Sequence, residues 1–431
     1  MANPKQSGHQ RFERYVDELH RAIRHADRRE PLELYLTGLL LPGERKSVEP
    51  MAARVDPHDV SARHQSLHHF VAKGPWEAAN LLRAASDFAL GVIERHGPVS
   101  AWIVDDTGMP KKGRHSVGVT RQYCGPLGKQ DNCQVAVSVS LANAVASIPC
   151  AYRLYLPEDW AGDPIRRQKA GVPSSIVFRK KWQIALDQID ELLSEGLPPA
   201  PVIADAGYGV ATAFREGLTE RGIPYAVGIT AETTVWAPGT GPLPPAPWSG
   251  QGRPPRLMRR APEHSPLSVA ELAQQIASES FQTVAWREGT RGRMKARYAA
   301  VRVRPAHRDT WRSKPRDEEW LLIEWPETET KPTKYWLSTV AESASLEDLV
   351  NLARTRWRIE RDFQELKDEI GLDHYEGRGW KGFHHHGALC IAAYAFLVAE
   401  RARLSPPAPL SFLQAPEIPK DFRPRGSSRA S

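Results

Sequence analysis

Hydrophobic positions follow different rhythms along the chain. In "RFERYVDELHRAIRH", Phe12, Tyr15, Leu19 and Ile23 fall three to four residues apart, which is one face of a helix. "PWEAANLLRAASDFALGVIERHG" repeats that spacing, with Pro75 placed to start a helix and Gly97 to stop it. Residues 1–95 are therefore predicted to be helical, with no repeat at solenoid periods. At Pro98 the rhythm changes. "SAWIVDD" reads as a short buried strand ending on acids, and "CQVAVSVSLANA" sets Val135, Val137, Val139 and Leu141 on one face of a second. "SIPCAYRLYLP" reads as a third, so an antiparallel meander is predicted. "KKWQIALDQIDELLSEG" is an amphipathic helix ending at Gly196, and "PVIADAGYG" a buried strand that stops on Asp205. "AFREGLTERG" is a helix ending at Gly222, and "PYAVGIT" a fifth strand. Beyond residue 230, "WAPGTGPLPPAPWSGQGRPPRLMRR" is too rich in Pro and Gly for regular structure. "RYAAVRVR", "EEWLLIEW" and "KYWLSTV" are strand-like, and a long helix is predicted from Leu346 to Glu369. The proline-rich basic tail after Leu404 is expected to be disordered.

Charge adds a location to this outline. Lys and Arg exceed Asp and Glu by 58 to 51, and residues 250–316 alone hold 15 of the former against 5 of the latter. Such a concentration reads as a surface for a polyanion, nucleic acid being the commonest, with a merely solvated basic face as the bland alternative. The four cysteines, Cys124, Cys133, Cys150 and Cys390, form no C-x-x-C pair, which argues against a zinc site or disulfide framework and fits a reducing cytoplasm. The polar opening is unlike a signal peptide, and "LYLTGLLL" is far short of the roughly 20 residues of a membrane span. The order strand–strand–strand–helix–strand–helix–strand resembles the ribonuclease H-like fold. The expected class is α/β: a ribonuclease H-like mixed five-stranded sheet with helices, an inserted β-rich module and a helical N-terminal domain.

Carboxylates supply the candidate chemistry. "VDDTGMPKKG" places Asp105 and Asp106 side by side, followed by Lys111 and Lys112. Asp205 closes the fourth expected strand. On the late helix Leu346, Val350, Ala353 and Trp357 form a stripe that continues to Glu360, so this acid is expected to point at the protein body, near Arg356 and Lys367. Each acid has a plain reading as a turn, cap or ion-pair residue. In a ribonuclease H-like arrangement the first and fourth strands are neighbours. Three carboxylates gathered there need divalent cations to stay ionised together, and two Mg²⁺ ions roughly 4 Å apart would serve an in-line displacement at phosphorus.

"DDTG", "ADAGYG" and "RTRWRIERDFQELK" together resemble the three blocks of DDE transposases of bacterial insertion sequences, nearest to the insertion-sequence-four clan with its Tyr-Arg-Glu-Lys signature. The resemblance runs from about residue 98 to 400. It carries Arg356, Glu360 and Lys367 onto the signature, while Ala353 stands where the tyrosine would fall. It implies Asp106, Asp205 and Glu360 as catalytic metal ligands, with Asp105 facing the other side of its strand. It implies Arg356 and Lys367 as phosphate contacts and two Mg²⁺ ions for which Mn²⁺ substitutes, while Lys111 and Lys112, by their place after the acid pair, are expected to face phosphate as well. The implied partners are the double-stranded DNA of element ends and target, bound by a homodimer, in a cytoplasmic, nucleoid-associated bacterial protein with no membrane segment. It also implies base stacking by a tryptophan of the insertion, with Trp236, Trp248, Trp286 and Trp311 all open, each equally readable as core.

The organisation expected is 1–95 helical and DNA-binding, 96–229 and 334–403 the two parts of the catalytic core, 230–333 the basic insertion and 404–431 the tail. The activity expected is cleavage at terminal inverted repeats and joining of 3′-hydroxyl ends to target DNA. The rivals are a structure-specific nuclease that never joins strands and a decayed DNA-binding protein. A haloacid-dehalogenase-like phosphatase would need D-x-D where Asp105 and Asp106 are adjacent. Consecutive His384, His385 and His386 on a helix point in different directions, which favours phosphate contact or packing over one shared metal.

Overall fold

In the computed structural model the described residues are 7–404 without 290–291, so the expected disordered tail lies outside them. Among them, helices come first: α1 Gly8–Ile23, α2 Arg29–Leu40, α3 Val48–Val55, α4 Val60–Ala72 and α5 Ala78–Ile93. Strands β1 Ala101–Pro110, β2 Thr120–Cys124, β3 Lys129–Ala142 and β4 Ser147–Leu154 follow, then α6 Glu158–Ala161, α7 Pro164–Ala170 and α8 Lys181–Ser194. Next come β5 Val202–Ala204, α9 Ala206–Gly209, α10 Thr212–Glu220, β6 Tyr225–Ile229, β7 Thr234–Trp236, β8 Leu267–Ser268 and α11 Val269–Gln275. The chain continues through β9 Gln282–Gly289, β10 Gly292–Pro305, β11 Glu319–Trp325, β12 Lys334–Ser338, α12 Leu346–Arg354, α13 Trp357–Asp368 and α14 Trp380–Leu404. This is a mixed α/β architecture consistent with a ribonuclease H-like fold. No described helix is long and apolar enough to cross a membrane.

The described residues form two compact units, one of residues 7–198 with 357–404 and one of residues 199–356. In the first, β3 is the organising strand. It pairs antiparallel with β1 residue for residue, from Ala101 opposite Ala142 to Pro110 opposite Cys133, and also with β2 and β4. The core is built around α14, most of whose residues are buried. α5, α2 and α4 pack on it, as does β4. Tyr15 of α1 donates its hydroxyl to the Ala392 carbonyl at 2.7 Å, so the leading helices share this core. Local chemistry sets their starts: Ser7 and Gln10 form a reciprocal capping box at α1, satisfying backbone donors the helix leaves open.

In the second unit β5 pairs parallel with β6, and β6 pairs antiparallel with β12. β12, β11 and β10 then follow antiparallel, and β10 also pairs with β9 and β7. The strands of the basic stretch are thus joined to β6 through β12. Part of that stretch's positive charge is answered inside the unit: Arg302 pairs with Glu342, Arg304 with Glu318, Arg312 and Arg316 with Glu216, and Arg260 with the buried Asp309.

Three expectations about elements change. β1 does not end on its acids; β3 is long enough to pair all ten of its residues, so Asp105 and Asp106 lie mid-strand. β2 is an additional strand whose alternation of half-buried and exposed positions gives little hydrophobic signal. The late helix is two helices. Thr355 turns its hydroxyl back onto the Asn351 carbonyl at 2.8 Å, the i−4 bonding that bends or ends helices, and Thr355–Arg356 form a turn.

Candidate active site

The strict pairing of β1 with β3 puts neighbouring residues of β1 on opposite faces of the sheet. Met109 shares a face with Asp105, and its sulfur accepts from the Tyr152 hydroxyl at 3.4 Å. Tyr152 in turn stacks on Phe383 of α14. Asp105 therefore belongs to the face covered by α14 and α13. Asp106 belongs to the other, where Lys181 of α8 reaches its Oδ2 at 3.1 Å. The Asp106 amide donates to Asp105 Oδ1 at 2.8 Å, which orients that carboxylate. Lys181 escaped the sequence reading; its signal was only a lysine at the start of a predicted helix.

α13 is fixed over the Asp105 face at several points. Arg358 donates to the carbonyls of Ala144 and Val145 in the turn between β3 and β4. Buried Asp362 accepts from the Ser147 hydroxyl at 2.8 Å and from the Tyr394 hydroxyl at 3.0 Å. Lys367 donates to the Gly108 carbonyl of β1 at 2.9 Å, and burial lowers its pKa. Glu360 lies between these anchors. It is exposed, which corrects the expectation that it points into the body: the break at Thr355 rotates the stripe, and α13 buries Ile359, Phe363 and Leu366 instead. Ala353 is buried in α12, and Arg356 stands in the turn after it.

Lys111 and Lys112 diverge. The Lys111 ammonium donates to the carbonyls of Tyr375 at 2.7 Å and Asp373 at 3.4 Å, and burial lowers its pKa, whereas Lys112 is exposed.

Asp205, in the second unit, follows β5 directly and starts α9 without capping it. Its Oδ1 is buried and accepts no hydrogen bond. An ionised oxygen in that position is costly unless a cation meets it, so the group fits a metal ligand better than a turn residue. The "ADAGYG" spacing has a steric origin. A Cβ on Gly209 would lie 1.9 Å from the Gly228 carbonyl oxygen of β6, and one on Gly228 would lie 2.9 Å from the Ala206 nitrogen. Among the described residues, no group of three or more His, Cys, Asp or Glu side chains is arranged to hold a metal.

The tryptophans separate. Trp236 is buried and donates to Asp309 at 2.8 Å, and Trp286 packs edge-on against Tyr298 beneath Arg354. Trp248 and Trp311 are 55% and 69% exposed, and the Arg308 guanidinium lies over the Trp311 ring.

The histidines are packing groups. His384 accepts from the Leu154 amide and donates to the Trp380 carbonyl; His386 accepts from the Tyr35 hydroxyl and donates to the Gly371 carbonyl. Those pairings require neutral rings, and His385 stacks on Trp76 at 3.6 Å. Burial pushes each of the three down to about 4. For His384 and His386, whose pairings need a neutral ring, the contribution to stability is present above about pH 6.5 and lost as pH falls towards 4. Asp362 acts oppositely: burial pushes it up to about 7, so it penalises folding increasingly as pH rises from about 4 to 7. Melting curves at pH 5 and 7.5 should therefore show Asp362→Asn gaining about 2 kcal/mol more than wild type across that interval. An equal gain in both proteins would refute the buried, proton-bearing Asp362.

Comparison with known proteins gives the site a family. Residues 18–293, more than half of the chain, match the model described as DDE superfamily endonuclease, a span that includes Asp105, Asp106 and Asp205 and ends before Glu360. The probable transposase for insertion sequence element IS701 of Microchaete diplosiphon is 34% identical over 172 residues, covering 40% of this chain and 42% of that protein. The shared segment thus spans well under half of that relative's length. The chain belongs to the DDE superfamily of endonucleases.

Proposed function

We propose that the protein is a transposase that cuts DNA phosphodiesters at the terminal inverted repeats of its own element and joins the freed 3′-hydroxyls to target DNA. The observation that carries this reading is α13, pinned at Arg358 and Lys367 across the sheet face that holds Asp105, with Glu360 between the pins. The family and the similar transposase support DNA as the substrate.

Resemblance points to Asp106 as the first acid; we favour Asp105 because it lies on the face of β1 that α13 covers, whereas Asp106 lies on the side of α8. Asp105, Asp205 and Glu360 would then be the residues to hold Mg²⁺, and the buried Asp205 oxygen that accepts no hydrogen bond supports its fit to a cation. Two bound Mg²⁺ ions, or Mn²⁺ in their place, would supply Lewis-acid activation of the phosphate and of the attacking oxygen. The protein's own part is to aim the carboxylates: the Asp106 amide orients Asp105, and the Gly209–Gly228 contact holds the turn after Asp205. Arg356, Glu360 and Lys367 keep the spacing of the insertion-sequence-four signature, with Arg356 and Lys112 offered to phosphate. Lys367 chiefly positions α13. A homodimer pairing two DNA ends is the assembly this activity calls for.

The test is incubation of the purified protein, with Mg²⁺, with a plasmid carrying the DNA that flanks its gene and a second target plasmid. Cleavage at both ends followed by joined products is expected. Breaks without joined products would make the protein a nuclease alone, and binding without breaks a decayed DNA binder.

A further inference from the structure

The 24 residues between Asp106 and Asp131 contain Lys111, Lys112, Arg114, Arg121 and Lys129 and no acid. In the larger basic stretch five arginines find carboxylates within their own unit, and here Lys129 pairs with Asp131. β1 leads directly into the loop that carries Lys112 and Arg114, and both are exposed. The Asn132 side chain ties that loop to β3, donating to the Lys111 carbonyl at 2.6 Å and the Gly113 carbonyl at 2.7 Å. In the β2–β3 hairpin Arg121 lies opposite Asn132 and Tyr123 opposite Gln130, and residues directly opposite share a face. Arg121, Tyr123 and Gln130 therefore form the same surface as the tethered loop. Tyr123 is 62% exposed.

We propose that this loop and hairpin face form a clamp for duplex DNA, with Lys112, Arg114 and Arg121 on successive phosphates and Tyr123 packed against sugar or base. The proposal rests on the reading of the protein as a DNA-cutting enzyme and adds the surface that holds the substrate beside the acid pair. Asp131 answers Lys129 at 3.3 Å and also feels Arg121, which leaves the exposed Lys112 and Arg114 with Arg121 as a net positive face that a polyanion would cover, and phosphate contacts of this kind fix register without reading sequence. The Asn132 tether holds the loop in place before DNA arrives.

Binding of a labelled random-sequence duplex, followed by fluorescence anisotropy across about 50 to 200 mM salt without divalent ion, tests the clamp. Lys112→Ala/Arg114→Ala/Arg121→Ala should lower the slope of log affinity against log salt by about 2 to 3 and weaken low-salt binding at least about tenfold. Tyr123→Ala should weaken binding with the slope unchanged. Circular dichroism checks folding; if the triple variant is unfolded, the loop pair Lys112→Gln/Arg114→Gln should still lower the slope by about 1 to 2. A folded variant with the wild-type slope and affinity overturns the clamp, as does one whose oligomeric state by light scattering changes while its slope does not. Wild-type protein that fails to bind duplex DNA at any salt would overturn the transposase reading itself.

Discussion

Asp105→Asn, Asp205→Asn and Glu360→Gln should each reduce Mg²⁺-dependent end cleavage by about a thousandfold or more, beyond the ten- to hundredfold that loss of an outer-shell partner costs. Duplex binding should stay within about threefold of wild type, because none of the three is offered to phosphate. Asp106→Asn is the informative companion. Its carboxylate is paired with Lys181 on the α8 side, so its loss should cost about tenfold through looser positioning of β1. Single-turnover cleavage with the four variants gives the ranking. If Asp106→Asn is dead while Asp105→Asn still cuts, the choice drawn from the faces of β1 is wrong and the adjacent acid is the ligand.

Gly209→Ala carries the second large effect. The added carbon would meet the Gly228 carbonyl oxygen at 1.9 Å, and backbone of β6 cannot move aside as a flexible side chain would. The turn after Asp205 must open, with a loss of stability of about 3 kcal/mol or more and a displaced carboxylate. Thermal denaturation and cleavage should fall together. By contrast, Gly113→Ala meets nothing within 4 Å and should leave both nearly unchanged. A Gly209→Ala protein as stable and active as wild type would remove the steric account of the "ADAGYG" block.

Much of this could be read from the order of residues. The apolar spacing of α1, α5 and α8 and the alternation of β3 and β4 are visible because each of these elements shows one face to a core. β2 was hidden because its face is left to solvent, and the length of β1 was hidden because its register depends on a partner more than twenty residues away. The division of the late helix turned on one threonine hydroxyl choosing a carbonyl over water, which no periodicity records. At the site, the acid types and their spacing were legible. Which of two adjacent aspartates faces α13 was not, since strand alternation says only that they differ. The position of Lys111 beside the acids points its ammonium at DNA phosphate, but folding brings the Tyr375 carbonyl to it first.

The seating of α1, α2, α4 and α5 on α14 bears on how the protein can be dissected. Tyr15, Tyr35 and Trp76 fasten three separate stretches of the first hundred residues to that 25-residue rod, through Ala392, His386 and His385. A fragment starting at Pro98 would leave the rod stripped, greasy on nearly every side and prone to clump. The leading helices are therefore not a detachable reading head that can be swapped between elements, and hybrids spliced at that joint should be recovered as aggregates.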